Sequence, residues 1–232
     1  MQRTGEKHVL AGRYLKDIVF AANDGIVTTF AVVAATVGGA LSPAVILIIG
    51  FANLLADGFS MATGNYLGTK SEKEFYEKEA ERERDEVKRI PEDERQEIRE
   101  ILAGRGYQGS QLEDMVSLIS SNEQFWVDFM MHEELKLFVP ETESALKNGI
   151  VTFVSFAAAG SIPLLPYVIF GKNASFGIAV AMMAFALFGI GALRSLFSKT
   201  SWFFSGLEML VVGGSAAVIA YGIGFALKSL AG

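Results

Sequence analysis

The chain has 232 residues, of which 51% are hydrophobic and 24 are glycine, and its formal net charge is −6. With a positive mean hydropathy, this composition is more apolar than a soluble domain of the same length needs, so it predicts a membrane protein. The absence of cysteine excludes disulfides, thiolate metal sites, iron–sulfur clusters and cysteine nucleophiles, and only two histidines exclude a histidine-rich metal centre.

Five segments are long and apolar enough to cross a bilayer, which takes about 20 mostly apolar residues. They are predicted near residues 18–40, 44–67, 148–170, 175–193 and 203–226. The expected fold is therefore an all-α integral membrane protein with five transmembrane helices. Its predicted parts are an N-terminal segment with helices 1 and 2 (1–69), a polar domain (70–147) and helices 3 to 5 (148–232).

The polar domain at 70–147 holds 21 of the 26 acidic residues and 12 of the 20 basic ones, which gives it a net charge of −9. We predict three helices here. The second membrane helix continues without a breaker to Ile90; a helix opened by Pro91 is closed by Gly104 and Gly106; and a third covers roughly 111–137.

The distribution of basic residues predicts the orientation, because lysine and arginine accumulate on the cytoplasmic side of membrane proteins. If the N-terminus and residues 70–147 are cytoplasmic, 18 of the 20 basic residues lie on that side. The C-terminus is then external.

The first apolar segment contains "AANDGIVTTF", residues 21–30, in which Asp24 lies roughly 9 Å from the start of the span at Ile18. Ionised side chains at membrane depth are costly and usually mark an ion or substrate path. Asp17 precedes Asp24 by two helical turns on the same face. Two interpretations stay open for Asp24: a residue of an ion path, or the cap of a broken helix.

The second apolar segment carries a stripe of polar and sulfur-containing residues at steps of four, formed by Asn53, Asp57, Met61 and Asn65. Met61 lies at the same depth as Asp24 if the two helices are antiparallel. A carboxylate with a thioether favours a transition metal over Mg²⁺ or Ca²⁺. The alternative is that Asn53 and Asn65 only form hydrogen bonds between helices and that Met61 is only a packing residue.

Three stretches, "DIVFAANDGIVTTFAVVAA", "NLLADGFSMATGNYLGTKSE" and "WVDFMMHEELKL", together with the acidic insertion, resemble the vacuolar iron transporter family over nearly the whole chain. The resemblance implies a homodimer of five-helix subunits that exports Fe²⁺ from the cytosol in exchange for protons. It also implies a cytoplasmic metal-binding domain between helices 2 and 3.

The same resemblance implies that Asp17, Asp24 and Met61 line the transport path. Plant members of the family have a glutamate where this chain has Asn53. Asp57, one helical turn away, is the acid that could take its place.

In the acidic insertion, the pairs Glu83 and Glu86, and Glu94 and Glu97, each place two carboxylates on one helix face. So acidic a segment contains such pairs by chance, and a solvated charged face explains them equally well. The resemblance assigns metal binding to a larger set: Glu83, Glu86, Glu94, Glu97, Met130, Met131 and Glu134. Met131 lies where some relatives are expected to have a carboxylate, so Glu133 or His132 are alternative ligands at this place. For Met130, the alternative to ligation is a packing role in the core.

These observations predict a proton-coupled antiporter for divalent transition metals, most favourably Fe²⁺, with Mn²⁺, Co²⁺ and Zn²⁺ as further candidate cargo. Its partners are metal ions, protons, membrane lipids and a second copy of the chain; no enzymatic activity, cofactor or nucleic-acid partner is expected. The predicted location is a prokaryotic plasma membrane. The alternatives are a Mn²⁺ transporter of the same mechanism, and a membrane-tethered protein that buffers or oxidises metal.

Overall fold

A computed structural model describes residues 4–138, 144–195 and 199–231 of the chain. Most of these residues are helical, and none of them forms a β-strand. The helices are α1 (Thr4–Gly38), α2 (Pro43–Arg89), α3 (Pro91–Gly104), α4 (Gly109–Ser120), α5 (Glu123–Glu133), α6 (Ala145–Gly160), α7 (Leu165–Phe170), α8 (Phe176–Arg194) and α9 (Trp202–Ala231).

Among the described residues, five helical spans are long and apolar enough to cross a membrane, which confirms the predicted number. They are Tyr14–Gly38, Pro43–Arg89, Ala145–Phe170, Phe176–Arg194 and Trp202–Lys228. The third span is not one regular helix, because a 3₁₀ turn at Ile162–Leu164 separates α6 from α7. Pro163 and Pro166 lie at this junction, where their missing N–H groups interrupt the α-helical hydrogen bonds.

The chain divides into two compact units, one formed by residues 1–66 and 145–232 and the other by residues 67–144. In the first, α1 packs against α6, α8 and α9. Ile26, Phe30 and Val33 follow one face of α1 and are fully buried. They share an apolar cluster with Phe156 of α6 and Leu187 of α8. The core of this unit is therefore built around α1.

Helix α1 runs through Asn23-Asp24-Gly25 without interruption. Asp24 therefore lies in a helix interior, and the interpretation of this residue as the cap of a broken helix is wrong. In an apolar surrounding, backbone N–H and C=O groups must be paired within the protein, and this requirement overrides the turn preference of the motif. Thr28 adds to the pairing, because its hydroxyl donates a 2.8 Å hydrogen bond to the Asp24 carbonyl oxygen.

Gly25 lies where α1 approaches the backbone of α6. A Cβ atom at this position would lie 2.5 Å from the carbonyl oxygen of Phe156. A Cβ at Gly160 of α6 would in turn lie 2.7 Å from the Gly25 carbonyl oxygen. The two glycines therefore permit backbone contact, a common device in membrane helix packing. Gly64 and Gly68 of α2 differ, because a Cβ added at either position would have no neighbouring atom within 4 Å.

The second unit has its own apolar core. Pro91 stops α2, because a proline disfavours the helical conformation of the residue before it, and Ile90 accordingly has φ −132° and ψ 51°. The buried apolar residues are Val87, Ile98, Leu102, Val116, Ile119, Trp126, Val127, Met130 and Met131. Residues of α2, α3, α4 and α5 all contribute to this core.

The single helix predicted over 111–137 is wrong, because the structure has two helices there. Helix α4 ends at Ser120, and α5 begins at Glu123. Asn122 separates them: its side-chain oxygen accepts a 3.0 Å hydrogen bond from the Phe125 N–H and caps α5. The second unit therefore consists of the end of α2 and three further helices, instead of three helices in all.

Gly25→Ala should lower the thermal stability of the detergent-solubilised protein. The added methyl group meets backbone atoms of α6, which cannot rotate away, so we expect a cost of about 1–3 kcal/mol, as for an overpacked core. Gly214→Ala in α9 is the matched control, because a Cβ there has no neighbour within 4 Å. Equal melting temperatures for the two variants would show that the α1–α6 contact is not tight.

Candidate metal sites

Three carboxylates converge in the second unit. Oxygen atoms of Glu83, Glu86 and Glu94 all lie within 4.8 Å of one another. Oxygen ligands that bind one transition-metal ion at about 2.1 Å are separated by up to about 4.2 Å. A small side-chain adjustment would therefore bring the three oxygens onto a single ion.

The positions of these acids follow the helical pattern of the core. Glu83 precedes the core residue Val87 by four residues on α2, and Glu94 precedes Ile98 by four on α3. Both acids therefore lie on the core-facing sides of their helices. Only 4% of Glu83 and 3% of Glu94 is exposed.

Burial leaves these two carboxyl groups without the partners that buried polar groups normally have. One oxygen of Glu83 and one of Glu94 are inaccessible and accept no hydrogen bond. An unpaired buried oxygen is costly, and a buried negative charge is costlier still. A bound cation or a proton removes that cost.

Removal from water and repulsion between carboxylates both change the acidity of the cluster. Desolvation is the largest cause that raises the pKa of Glu83 to about 7, followed by repulsion from Glu134 and Glu94. Desolvation likewise raises the pKa of Glu94 to about 7, followed by repulsion from Glu97 and Glu134. Near neutral pH the cluster therefore exchanges protons readily.

Glu97 and Glu134 complete a group of five interacting carboxylates. Desolvation raises the pKa of Glu134, and repulsion from Glu97 and Glu86 and a hydrogen bond with Glu97 raise it further. Arg82 acts in the opposite direction on Glu134, but it also forms an ion pair with Glu86. Arg82, which also pairs with Glu79, is the basic residue described as acting on this group, so the carboxylates carry an excess of negative charge that a divalent cation would offset.

The methionines of this region occupy the core. Met130 and Met131 are both fully buried among the apolar residues of the second unit. Packing thus accounts for both side chains, and ligation by Met130 stays a prediction.

The two alternatives to Met131 have other partners. Glu133 forms ion pairs with Arg105 and Lys136. The Nδ1 atom of His132 lies 2.6 Å from the Asp128 carbonyl oxygen, and its ring packs against Phe138. Both side chains thus have described partners, and their role as substitutes for the missing carboxylate stays a prediction.

A second group of polar residues lies in the membrane-spanning unit. The Asn53 amide donates a 2.7 Å hydrogen bond to the Asp57 carboxylate, so these residues share one face of α2 as predicted. Asp57 and the half-buried Asp24 of α1 are close enough to interact electrostatically. The structure therefore places within electrostatic range of each other two carboxylates from different membrane-spanning helices.

Met61 and Asp17 have different surroundings. Met61 is partly buried against the apolar cluster that contains Ile26 and Phe156. The contacts described for Met61 are therefore apolar, and its role as a ligand stays a prediction. Asp17 is half-buried near the start of the first span.

Two polar residues of α6 were not predicted from the sequence. Asn148 and Thr152 are buried within the membrane-spanning unit, and the Thr152 hydroxyl accepts a 2.7 Å hydrogen bond from the Asn65 amide of α2. The sequence could have indicated them, because two polar residues four positions apart in an apolar segment lie on the same helix face. They extend the polar surface on which Asn65 lies.

Known proteins resemble this chain over almost its whole length. The VIT family model matches residues 15–225. Vacuolar iron transporter 1 of Arabidopsis thaliana is 34% identical over 217 residues, which cover 93% of this chain and 87% of that protein. Vacuolar iron transporter 1 of Eucalyptus grandis is 32% identical, with 97% and 90% covered.

A third relative, the vacuolar iron transporter of Toxoplasma gondii, is 38% identical over 231 residues, which cover 94% of this chain and 76% of that protein. All three relatives are named as transporters and none as an enzyme. With a family match over most of its length and relatives above 30% identity, this chain belongs to the VIT family.

Proposed function

We propose that this membrane protein transports divalent transition-metal ions, with Fe²⁺ as the favoured cargo, out of the cytoplasm in exchange for protons. The observation that carries the proposal is the carboxylate cluster of Glu83, Glu86 and Glu94, whose oxygens approach one another and are in part buried without a hydrogen-bond partner. Membership of a family whose relatives are named iron transporters supports the same cargo.

In this proposal the second unit collects the ion in the cytoplasm. Glu83, Glu86, Glu94 and Glu97 supply carboxylate oxygens, and Glu134 and Met130 are the further ligands that the family resemblance implies. Oxygen ligands bind many divalent ions, so the cluster concentrates metal more than it selects one. The protons that Glu83 and Glu94 hold near neutral pH leave as the metal binds.

The membrane-spanning unit carries the ion and the exchanged protons. Asp24 and Asp57 repel each other when both are ionised, so a metal ion or a proton stabilises the pair. Alternate occupation by metal and by protons would couple their movements. Asn53 positions Asp57 through its hydrogen bond, Met61 supplies a softer ligand, and Asp17 lies on the cytoplasmic approach.

The remaining parts of the proposal are the assembly, the membrane and the ion. A homodimer follows from the resemblance to the family, and a prokaryotic plasma membrane stays a prediction, while the named relatives are vacuolar. Mn²⁺ is the alternative cargo, because the same ligands accept it. Flux of Fe²⁺, Mn²⁺, Co²⁺ and Zn²⁺ into proteoliposomes, with and without a pH gradient, tests ion and coupling together.

A metal-buffering or metal-oxidising role is the second candidate function. It is favoured by the compactness of the second unit, which has its own apolar core around the carboxylates. In that case the membrane helices would serve as an anchor, and the intramembrane acids would not affect activity. Metal flux separates the two functions, because an anchor transports nothing.

Replacing Glu83 and Glu94 together by glutamine should weaken metal binding and remove a pH dependence of stability. Because the pKa values of both acids are raised in the folded protein, their stabilising effect is full below about pH 4.5 and is lost as the pH rises through about 7. The metal-free wild type should therefore melt at lower temperature at pH 8 than at pH 5, and the variant should show less of this decrease. Calorimetric titration with Mn²⁺ at pH 7 should show binding weaker by more than about tenfold.

Glu123→Gln is the control, since Glu123 is an exposed acid that pairs with Lys88 outside the cluster. It should bind Mn²⁺ like the wild type. If the double variant also bound Mn²⁺ like the wild type, the carboxylate cluster would not be a metal site.

Asp24→Asn should preserve folding and abolish most metal flux. Asparagine keeps the size of the side chain and its polar character but cannot carry the charge that a metal ligand or proton carrier needs. Met61→Leu keeps most of the volume, so a pure packing role predicts a cost below about 1.5 kcal/mol and normal transport. A ligand role predicts reduced Fe²⁺ flux and weaker discrimination against hard cations.

Flux through both variants should be compared in proteoliposomes with Asp114→Asn, which makes the same chemical change at an exposed position of α4. We expect Asp24→Asn to be the more impaired variant and the control to be normal. Unimpaired flux through well-folded Asp24→Asn would assign this carboxylate a structural role and move the search for the path to Asp57.

The proposed orientation predicts which introduced cysteines are accessible from outside intact cells. The chain has no native cysteine, so single substitutions can be labelled without background. A cysteine at the exposed Asn173, between α7 and α8, should react with an impermeant thiol reagent, while one at the exposed Ser110 of α4 should react only after the membrane is permeabilised. The opposite pattern would reverse the orientation and, with it, the direction of transport.

A further inference from the structure

A cavity of about 440 Å³ lies between α1, α8 and α9 in the membrane-spanning unit. Its walls combine two basic residues, Lys16 and Arg194, with an apolar surface. The apolar residues are Leu15, Val19, Phe20 and Met209. The seventh lining residue is Asn23, which precedes Asp24 and whose Oδ1 is buried without a hydrogen-bond partner. None of the seven is one of the candidate metal ligands, so the cavity needs a separate explanation.

The two cations converge from different helices. Lys16 is exposed on α1, and no ion pair is described for it in the part of the chain that the structure covers. Arg194 at the end of α8 pairs with Glu208 of α9, but its side chain stays 37% exposed. A guanidinium group has five N–H donors, so one carboxylate does not exhaust its capacity. Asp17 and Glu208 are the acids nearest in sequence or contact.

The cavity opens at the level where a membrane helix meets water. Arg194 is the last residue of the α8 span, and the next span begins at Trp202. Trp202 and Phe203 are exposed and pack edge-to-face, which is the aromatic composition typical of a membrane boundary. Phe20 is 63% exposed one turn further into the α1 span, so the apolar wall continues towards the hydrocarbon region.

We propose that this cavity binds one anionic glycerophospholipid. Its phosphate lies between Lys16 and Arg194, and its acyl chains follow Val19 and Phe20 along α1. Charge complementarity selects an anionic lipid over a zwitterionic one, because Lys16 and Arg194 are both basic and the other five lining residues are uncharged. Its volume is in the range of sites that hold small molecules or headgroups. The inference does not depend on the proposed transport function.

The position of the site gives the lipid a structural effect. The bound lipid contacts residues of α1, α8 and α9, and these three helices pack together to form much of the membrane-spanning core. A ligand that binds only the folded arrangement raises its stability in proportion to its concentration. The bound lipid therefore holds the start of the α1 span against the ends of the other two helices.

Thermal melting of the full-length protein in a neutral detergent tests the inference. The probes are dioleoyl phosphatidylglycerol, dioleoyl phosphatidylcholine with matched chains, and glycerol phosphate without chains. We expect phosphatidylglycerol to raise the melting temperature of the wild type well above the effect of phosphatidylcholine. Lys16→Gln should weaken the apparent affinity for phosphatidylglycerol about fivefold, as expected for one cation at an anionic surface.

Two further variants make the result specific. Lys147→Gln removes an exposed charge at the start of α6, outside the cavity, and should respond to phosphatidylglycerol like the wild type. Glu208→Gln frees Arg194 from its competing carboxylate and should tighten binding. Equal stabilisation by both lipids, or an equal response of Lys16→Gln and Lys147→Gln, would overturn the proposal. Full stabilisation by glycerol phosphate would also overturn it, because the site would then take a free phosphate anion.

Discussion

The cost of holding carboxylates away from water without matching cations is the constraint on which the chemistry of this molecule depends. In the second unit, Glu83 and Glu94 occupy core-facing positions and have oxygens with no hydrogen-bond partner. In the membrane-spanning unit, Asp24 has another acid, Asp57, as its electrostatic neighbour. For Glu83 and Glu94, full ionisation near neutral pH is unfavourable, and a cation or protons would stabilise the pair. In the proposed function, metal binding and proton binding would therefore compete at the same atoms.

Buried carboxylates can persist only if the packing around them is stable enough to offset their cost. In the second unit, the apolar residues that follow each acid by one helical turn, such as Val87 and Ile98, provide this packing. In the membrane-spanning unit, α1 is buried along one face from Ile26 to Val33 and touches α6 through glycines. Packing thus fixes the acids in place, and the energy lost by burying them becomes available to the ligand that neutralises them.

The sequence predicted the five membrane spans because apolar length is a local property that the bilayer enforces. It did not predict the break at Asn122, because an apolar pattern continues through that residue and only its side-chain hydrogen bond to Phe125 starts a new helix. The acidic pairs of the insertion could be identified only through the family resemblance, since pairs at that spacing are common in so acidic a segment. What separates Glu83 and Glu94 from the other acids is burial, which depends on how the helices of the second unit pack around their shared core.

The distribution of donor types bears on how the protein could distinguish metals. In the second unit the thioethers of Met130 and Met131 are packed in the core, so the carboxylates are the donors with oxygens directed at one another. Oxygen donors alone rank divalent ions weakly and accept hard cations as well as Fe²⁺. Discrimination against Mg²⁺ and Ca²⁺ would then require a softer donor elsewhere, and the α2 face that carries Asp57 also carries Met61 one turn later. A helix that presents a carboxylate and a thioether on one side can combine affinity with selectivity, provided that Met61 turns from its apolar neighbours when an ion arrives.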